Sequence, residues 1–356
     1  MNKSQNASPF RGRVLEYAAG DQLPVVGPAT HFFDFLTEDP ERSLLKLKGD
    51  VRLFAETEFA LSRCDFKCAH ELFEKLPKTD QNLHQVIRLG VKIAIGLGDL
   101  RFLDSILKLM AQFRSSVGDD PNRRKLVELT EGWLAQWLWL PKGYPEWIVR
   151  FDYDGDVPKV WRHPTAYLGV MARLNAGQFE SAYALAAMMM ALDRTAWDPY
   201  VRLTDANAYL SMARAICCRE IGRTDEMRKW LDEVIRRVAP HGILMPFLLF
   251  MSGSRKSPAE EILAEVAPKE VARYRALRRT YFANLIRARN HITGEKVTEA
   301  LSLREFYLAM LLKRGFSYKE LADRFGISVG RVKNLLLELY QKLHIHSRAQ
   351  IKPLVW

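Results

Sequence analysis

The 356-residue sequence predicts an all-α protein. Three observations carry that expectation. From about Phe32 onward apolar residues recur with a helical period, and β-branched runs are few. Turn residues followed by apolar and small residues return in one relative frame along the body of the chain. The last sixty or so residues hold three helix-length segments, each opened by a serine suited to cap it: Ser302, Ser317 and Ser328.

Length sets the scale at about two to three domains. No run of 18 apolar residues occurs, so no membrane span or membrane partner is expected. The longest apolar stretches, 183–192 and 242–251, read as buried helix. The opening residues, Met1-Asn-Lys-Ser-Gln-Asn-Ala-Ser-Pro9, lack the apolar core of a secretion signal, and the expected location is the cytoplasm. The four cysteines, Cys64, Cys68, Cys217 and Cys218, read as reduced thiols rather than a metal site. Charge is unevenly placed. Residues 269–295 carry a net +5 and residues 296–356 a net +6, which is all of the chain's formal +11. A neutral body with a basic end points to a polyanion at that end.

In chain order, residues 1–30 are expected to be extended, because Pro9, Gly12, Gly20, Pro24, Gly27 and Pro28 interrupt any helical period. Residues 31–290 form the helical body. Within it the frame returns as Cys64-Asp-Phe-Lys-Cys-Ala69, Gly98-Asp-Leu-Arg-Phe-Leu103, Gly177-Gln-Phe-Glu-Ser-Ala182 and Gly222-Arg-Thr-Asp-Glu-Met227. A turn residue lets two antiparallel helices reverse, and a small residue five positions on lets them pack closely. The pattern resembles a degenerate tetratricopeptide repeat, with spacings of 34 and 45 residues within the two successive pairs. Tryptophans concentrate at Trp133, Trp137, Trp139 and Trp147, followed by an Asp-, Gly- and Pro-rich loop over 151–161. Trp137, Trp139, Trp147 and Trp161 are the candidate stacking surfaces for a small-molecule effector, against the plainer reading that they pack irregular helices. Met188, Met189 and Met190 read as core filler, and His70, His84 and His163 as surface or satisfied histidines. Ser257 and Pro258 open a further helix, a long basic helix spans about 268–291, and 291–299 is the expected linker.

The C-terminal segment, 300–356, carries the chemistry. After a Ser302-x-x-Glu305 capping box, apolar residues at Leu301, Leu308, Leu311 and Leu312 keep the period of a first helix. Ser317 opens a short second helix, 318–325, with Leu321, Ala322 and Phe325 inward. Gly326 turns the chain, and Ser328 opens a third helix to about Leu343 on an inward stripe of Val332, Leu336, Leu339, Tyr340 and Leu343. A short helix, a glycine turn and a longer helix form the helix-turn-helix arrangement, whose second helix enters the DNA major groove. Arg331, Lys333, Asn334 and Leu337 are the expected base-reading residues, with Leu335 at the edge of that face. Arg and Lys suit guanine, Asn suits adenine, and Leu suits a thymine methyl. Ser317, Lys319, Ser328, Lys342 and Arg348 are the expected phosphate contacts.

Taken together, Leu301-Ser-Leu-Arg-Glu305, Gly315-Phe-Ser-Tyr-Lys-Glu-Leu-Ala322, Ile327-Ser-Val-Gly-Arg-Val-Lys333, Tyr340-Gln-Lys-Leu343 and Ser347-Arg348 resemble the LuxR/GerE-type helix-turn-helix family of bacterial transcription regulators. That resemblance implies a four-helix domain binding promoter DNA as a homodimer through its last helix, with base contacts centred on Lys333 and Asn334. The chain departs from the family pattern at Tyr307, Arg331, Leu335 and His344, and Pro353 shortens the last helix. The body resembles the helical-repeat part of MalT-like regulators. The phosphate loop Gly-x-x-x-x-Gly-Lys-Ser/Thr is missing from the sequence, so no ATPase is expected. The expected protein is a one-component regulator whose body takes an effector or protein partner, with RNA polymerase as a further partner. A second reading is a helical-repeat interaction protein whose basic end binds nucleic acid without sequence choice or docks on RNA polymerase. No paired-carboxylate, nucleophile–base or metal spacing stands out, and neither enzymatic activity nor a cofactor is expected.

Overall fold

The computed structural model describes residues 41, 44–45, 48–80, 82–140, 143–150, 162–195, 208–253 and 256–351. The extended segment expected over 1–30, the loop over 151–161 with Trp161, and Pro353 lie outside the described residues. The described residues are helical, with fifteen α-helices, short 3-10 turns and no strand. No helix among them is long and apolar enough to cross a membrane.

The body is built from helix pairs. These are α1 (Gly49–Ser62) with α2 (Phe66–Phe73), and α3 (Leu83–Leu97) with α4 (Leu100–Ser115). After α5 (Pro121–Trp137) and the short α6 (Glu146–Arg150) come α7 (Arg162–Asn175) with α8 (Phe179–Thr195), then α9 (Ala208–Glu220) with α10 (Thr224–Val238). Each of the four pairs turns on the residue that opens the recurring sequence frame. Cys64, Gly98, Gly177 and Gly222 all lie in the left-handed region, at φ 57°, 71°, 74° and 79°. The next residue's N–H then reaches back five positions: Asp65 to Ala60 O at 2.9 Å, Asp99 to Ala94 O at 3.1 Å, Gln178 to Arg173 O at 2.9 Å and Arg223 to Cys218 O at 2.8 Å. This reversal satisfies carbonyls that a helix end otherwise leaves without partners. Asp65 and Asp99 also cap the second helix of their pairs, accepting from Cys68 N and Phe102 N. Five positions after each turn residue, Ala69, Leu103, Ala182 and Met227 are all buried.

After α10, 3-10 turns at Ala239–His241 and Met245–Phe247 lead to α11 (Pro258–Val266), capped by Ser257 through Glu260 N. The long basic helix α12 (Val271–Thr293) follows. It serves as a spine with two packing sides. Tyr274, Tyr281 and Leu285 belong to the core of the body, while Phe282 and Ile286 belong to a second core with α13 (Leu303–Lys313), α14 (Tyr318–Phe325) and α15 (Val329–Leu343). The connecting residues are held down: Asn290 Nδ2 donates to Val297 O at 2.7 Å, Val297 N donates to Asn290 Oδ1 at 3.0 Å, and Val297 is buried. Trp139 packs against both cores from a left-handed backbone conformation, φ 51°, with its ring 6.1 Å from Phe282 and 6.2 Å from Phe306.

Several expectations are corrected here. Helix α13 is buried around its circumference rather than along one stripe, because it lies between the body and the last two helices; Phe306, Tyr307, Ala309 and Met310 are covered as fully as Leu308, Leu311 and Leu312. After α15 a 3-10 turn spans Arg348–Ile351, and residues 352–356, where a further helix would continue, lie outside the described residues. Met188 is exposed, whereas Met189 is core, since adjacent helical positions face different sides. His84 is neither at the surface nor satisfied. It is buried with both ring nitrogens lacking partners among the described residues, and burial lowers its pKa to about 3, so the ring is neutral.

Candidate nucleic-acid interface

The C-terminal helices are defined by their caps. Ser302 and Glu305 form a reciprocal capping box at α13, and Ser317 and Glu320 form another at α14. Gly326, at φ 61°, reverses the chain after α14, and Ser328 accepts from Arg331 N to open α15. Helix α15 sits on Val332, Leu336, Leu339 and Leu343, all buried. Its other face is open: Arg331, Lys333, Asn334, Leu337 and Glu338 are exposed, Leu337 at 60%. Leu335 is half-buried against the second core and is not part of that face.

The cations of this region fall into two groups. Lys319 and Lys333 are exposed and have no ion-pair partner among the described residues, while Arg331 has only a 3.7 Å approach to the exposed Glu338. The Asn334 side chain makes no hydrogen bond among the described residues. Lys342 and Arg348 are engaged within the protein. Lys342 Nζ lies 2.7 Å from Glu305 Oε1, and Arg348 donates through Nε and Nη2 to Leu312 O at 3.1 and 2.5 Å. Ser317 and Ser328 have their hydroxyls on backbone N–H groups as caps.

Sequence reasoning missed the bond between this region and the body. Glu220, at the end of α9, is buried, and its carboxylate faces three guanidiniums. Arg219 donates through Nε at 2.8 Å and again through Nη2, Arg314 at the C-cap of α13 lies at 3.3 Å, and Arg324 of α14 at 3.4 Å. Tyr307 OH donates to the same carboxylate at 3.4 Å, and Arg324 Nη2 also donates to the Arg219 and Glu220 carbonyls at 3.0 and 2.6 Å. Burial pushes the Glu220 pKa upward, but Arg219, Arg324 and Arg314 together outweigh it and hold the carboxyl below its ordinary value. Gly253 adds a close approach, since a Cβ there would stand 2.7 Å from the Phe325 ring and 3.0 Å from Arg324 O. Arg304 Nε donates to Gly253 O at 2.8 Å. No periodicity marks Glu220 or Gly253, and only their three-dimensional surroundings give them away.

The tryptophans separate. Trp137 and Trp139 line a cavity of ≈ 150 Å³ between the body and α13, with Tyr167, Tyr209, Tyr281 and Met310 among its walls. Trp147 is elsewhere, donating to Glu128 Oε2 at 2.6 Å. Trp133 stacks on Trp137 and Tyr167. Behind Trp137 the fully buried Lys92 places Nζ 3.7 Å from that ring's centroid and 5.2 Å from that of Tyr209. Burial, and then Arg88, lower the Lys92 pKa well below its ordinary value. The cysteines are free thiols. Burial pushes the Cys64 thiol up to about 12 and Cys218 to about 11, which leaves both unreactive. Among the described residues no group of three or more His, Cys, Asp or Glu side chains is placed to hold a metal ion. Compared with protein-family models, curated proteins and solved structures, the chain finds no match in any of the three.

Proposed function

We propose that the chain is a bacterial one-component transcription regulator of the LuxR/GerE type. In this reading α14, Gly326 and α15 form the helix-turn-helix, and the paired helices of the body form a degenerate tetratricopeptide-like array that takes an effector or protein partner. The observation that carries the reading is the outer face of α15. It presents Lys333, Asn334, Arg331 and Leu337 to solvent while its aliphatic underside is fully seated. Exposed, unpaired donors near the start of such a helix match what base edges in a major groove require. Lys319, at the start of α14, supplies a phosphate contact, as do the N-terminal turns at Ser317 and Ser328, whose backbone N–H groups favour an anion. Lys342 and Arg348 contribute less, because binding phosphate would first require leaving Glu305 and Leu312 O. The protein acts in the cytoplasm, binds DNA as a homodimer and meets RNA polymerase at the promoter.

The test is a footprint and gel retardation with the full chain on its own upstream region and on random duplex. Protection of a defined site, bound at least about a thousandfold more tightly than random duplex, is the expected result. Affinity for random duplex within tenfold of any native site would remove the sequence-reading role.

A further inference from the structure

The cavity beneath α13 has the composition of a ligand site. Its walls include seven aromatic side chains, among them Trp137, Trp139, Tyr167, Tyr209 and Tyr281, and at one end Arg219, Glu220 and Arg314. Two wall residues carry donors with no hydrogen-bond partner among the described residues, Trp137 Nε1 and Tyr281 OH, and Tyr281 is 2% exposed. Buried donors left unpaired cost about 1–3 kcal/mol each, so a native fold that keeps two beside one cavity needs an explanation. Charge supplies the next constraint. Three guanidiniums, Arg219, Arg314 and Arg324, share the single carboxylate of Glu220, which leaves an excess of positive charge at the arginine end. Arg314 is part-exposed on the rim, over the Phe179 ring at 5.2 Å, and so marks the entrance. Size supplies the last: a space of ≈ 150 Å³ holds one benzene-sized ring, not a nucleotide or a disaccharide.

We propose that this cavity binds a single-ring aromatic carboxylate, with its ring among Trp137, Tyr209 and Tyr281 and its carboxylate on Arg314 and Arg219. Met310 belongs to α13 and Arg314 caps its C-terminal end, so the ligand touches the body and the C-terminal helices at once, and its carboxylate competes with Glu220 for Arg314. This inference deepens the proposed function, and rests on it only for the consequence that occupancy changes promoter binding. Ligand binding itself is read without DNA.

The experiment titrates the full chain with benzoate and 4-hydroxybenzoate, following heat and tryptophan fluorescence, with benzyl alcohol as the uncharged comparison. Expected are a Kd below about 1 mM for a carboxylate, at least tenfold weaker binding of benzyl alcohol, and at least tenfold loss in Arg314→Gln. Ala213 lines the cavity, and Ala213→Leu fills it; binding should vanish while the melting temperature is kept or raised. Absence of binding by either carboxylate at about 10 mM overturns the inference, as does benzyl alcohol binding as tightly as benzoate. Unaltered binding in Arg314→Gln overturns it too, and that rim substitution stays informative if the Leu variant does not fold. A carboxylate that binds but leaves retardation of promoter DNA unaltered counts against the regulator reading and not against the site.

Discussion

Lys333 and Lys319 are both exposed and without an ion-pair partner among the described residues, yet the proposed function gives them different work. Lys333 lies on the open face of α15 and Lys319 at the opening turn of α14. Lys333→Ala is expected to lose about 1–3 kcal/mol on the preferred site and to relax base preference. Lys319→Ala should weaken binding to all sequences alike and lower the salt slope by about one unit. Retardation across salt concentrations on preferred and random duplex checks both, and equal loss of specificity in the two variants would contradict the division. Glu220 makes a different prediction. Its folded-state pKa lies below the ordinary 4.5, so it contributes stability that is present above that value and lost as pH falls through the folded value. Urea unfolding midpoints should therefore fall more steeply on acidification in the wild type than in Glu220→Gln. Glu220→Ala, which leaves three guanidiniums sharing no carboxylate, should cost about 3–5 kcal/mol.

At the scale of elements, caps and close approaches decide. Ser317→Ala removes one acceptor from the opening turn of α14 and should cost about 1 kcal/mol, seen as a lowered urea midpoint. Gly253→Ala should cost more, because its methyl meets the Phe325 ring and the Arg324 carbonyl and must push α14 off the body. Limited proteolysis between α13 and α15 would report that loosening. These helices also show what the sequence makes legible. The bounds of α14 and α15 and their buried stripes follow from Ser317, Ser328, Gly326 and the apolar spacing, because caps and period are local physics. The four turns at Cys64, Gly98, Gly177 and Gly222 were readable for the same reason. Helix α13 was not: its period shows one stripe, and the burial of Phe306 and Met310 comes from a neighbour far away in sequence.

For the molecule as a whole, what could not be read is how the parts meet. The charge of Glu220, the gap at Gly253 and the two-sided spine α12 each depend on residues brought together over long separations. The cavity was half legible. Trp137 and Trp139 stand in it, but Trp147 is tied to Glu128 and Trp161 lies outside the described residues. His84 likewise read as ordinary, whereas its ring is neutral and buried without partners among the described residues.

The spine bears on where this polypeptide can be divided. A piece beginning at residue 296 would carry α13 stripped of Phe282, Ile286 and Trp139, presenting Phe306 and Met310 to water. Such a piece should bind hydrophobic dyes and self-associate, and one beginning at residue 271 should do the same, because it regains Phe282 and Ile286 but bares Tyr274, Tyr281 and Leu285 on the other side of α12; only the full chain should stay monodisperse in sedimentation.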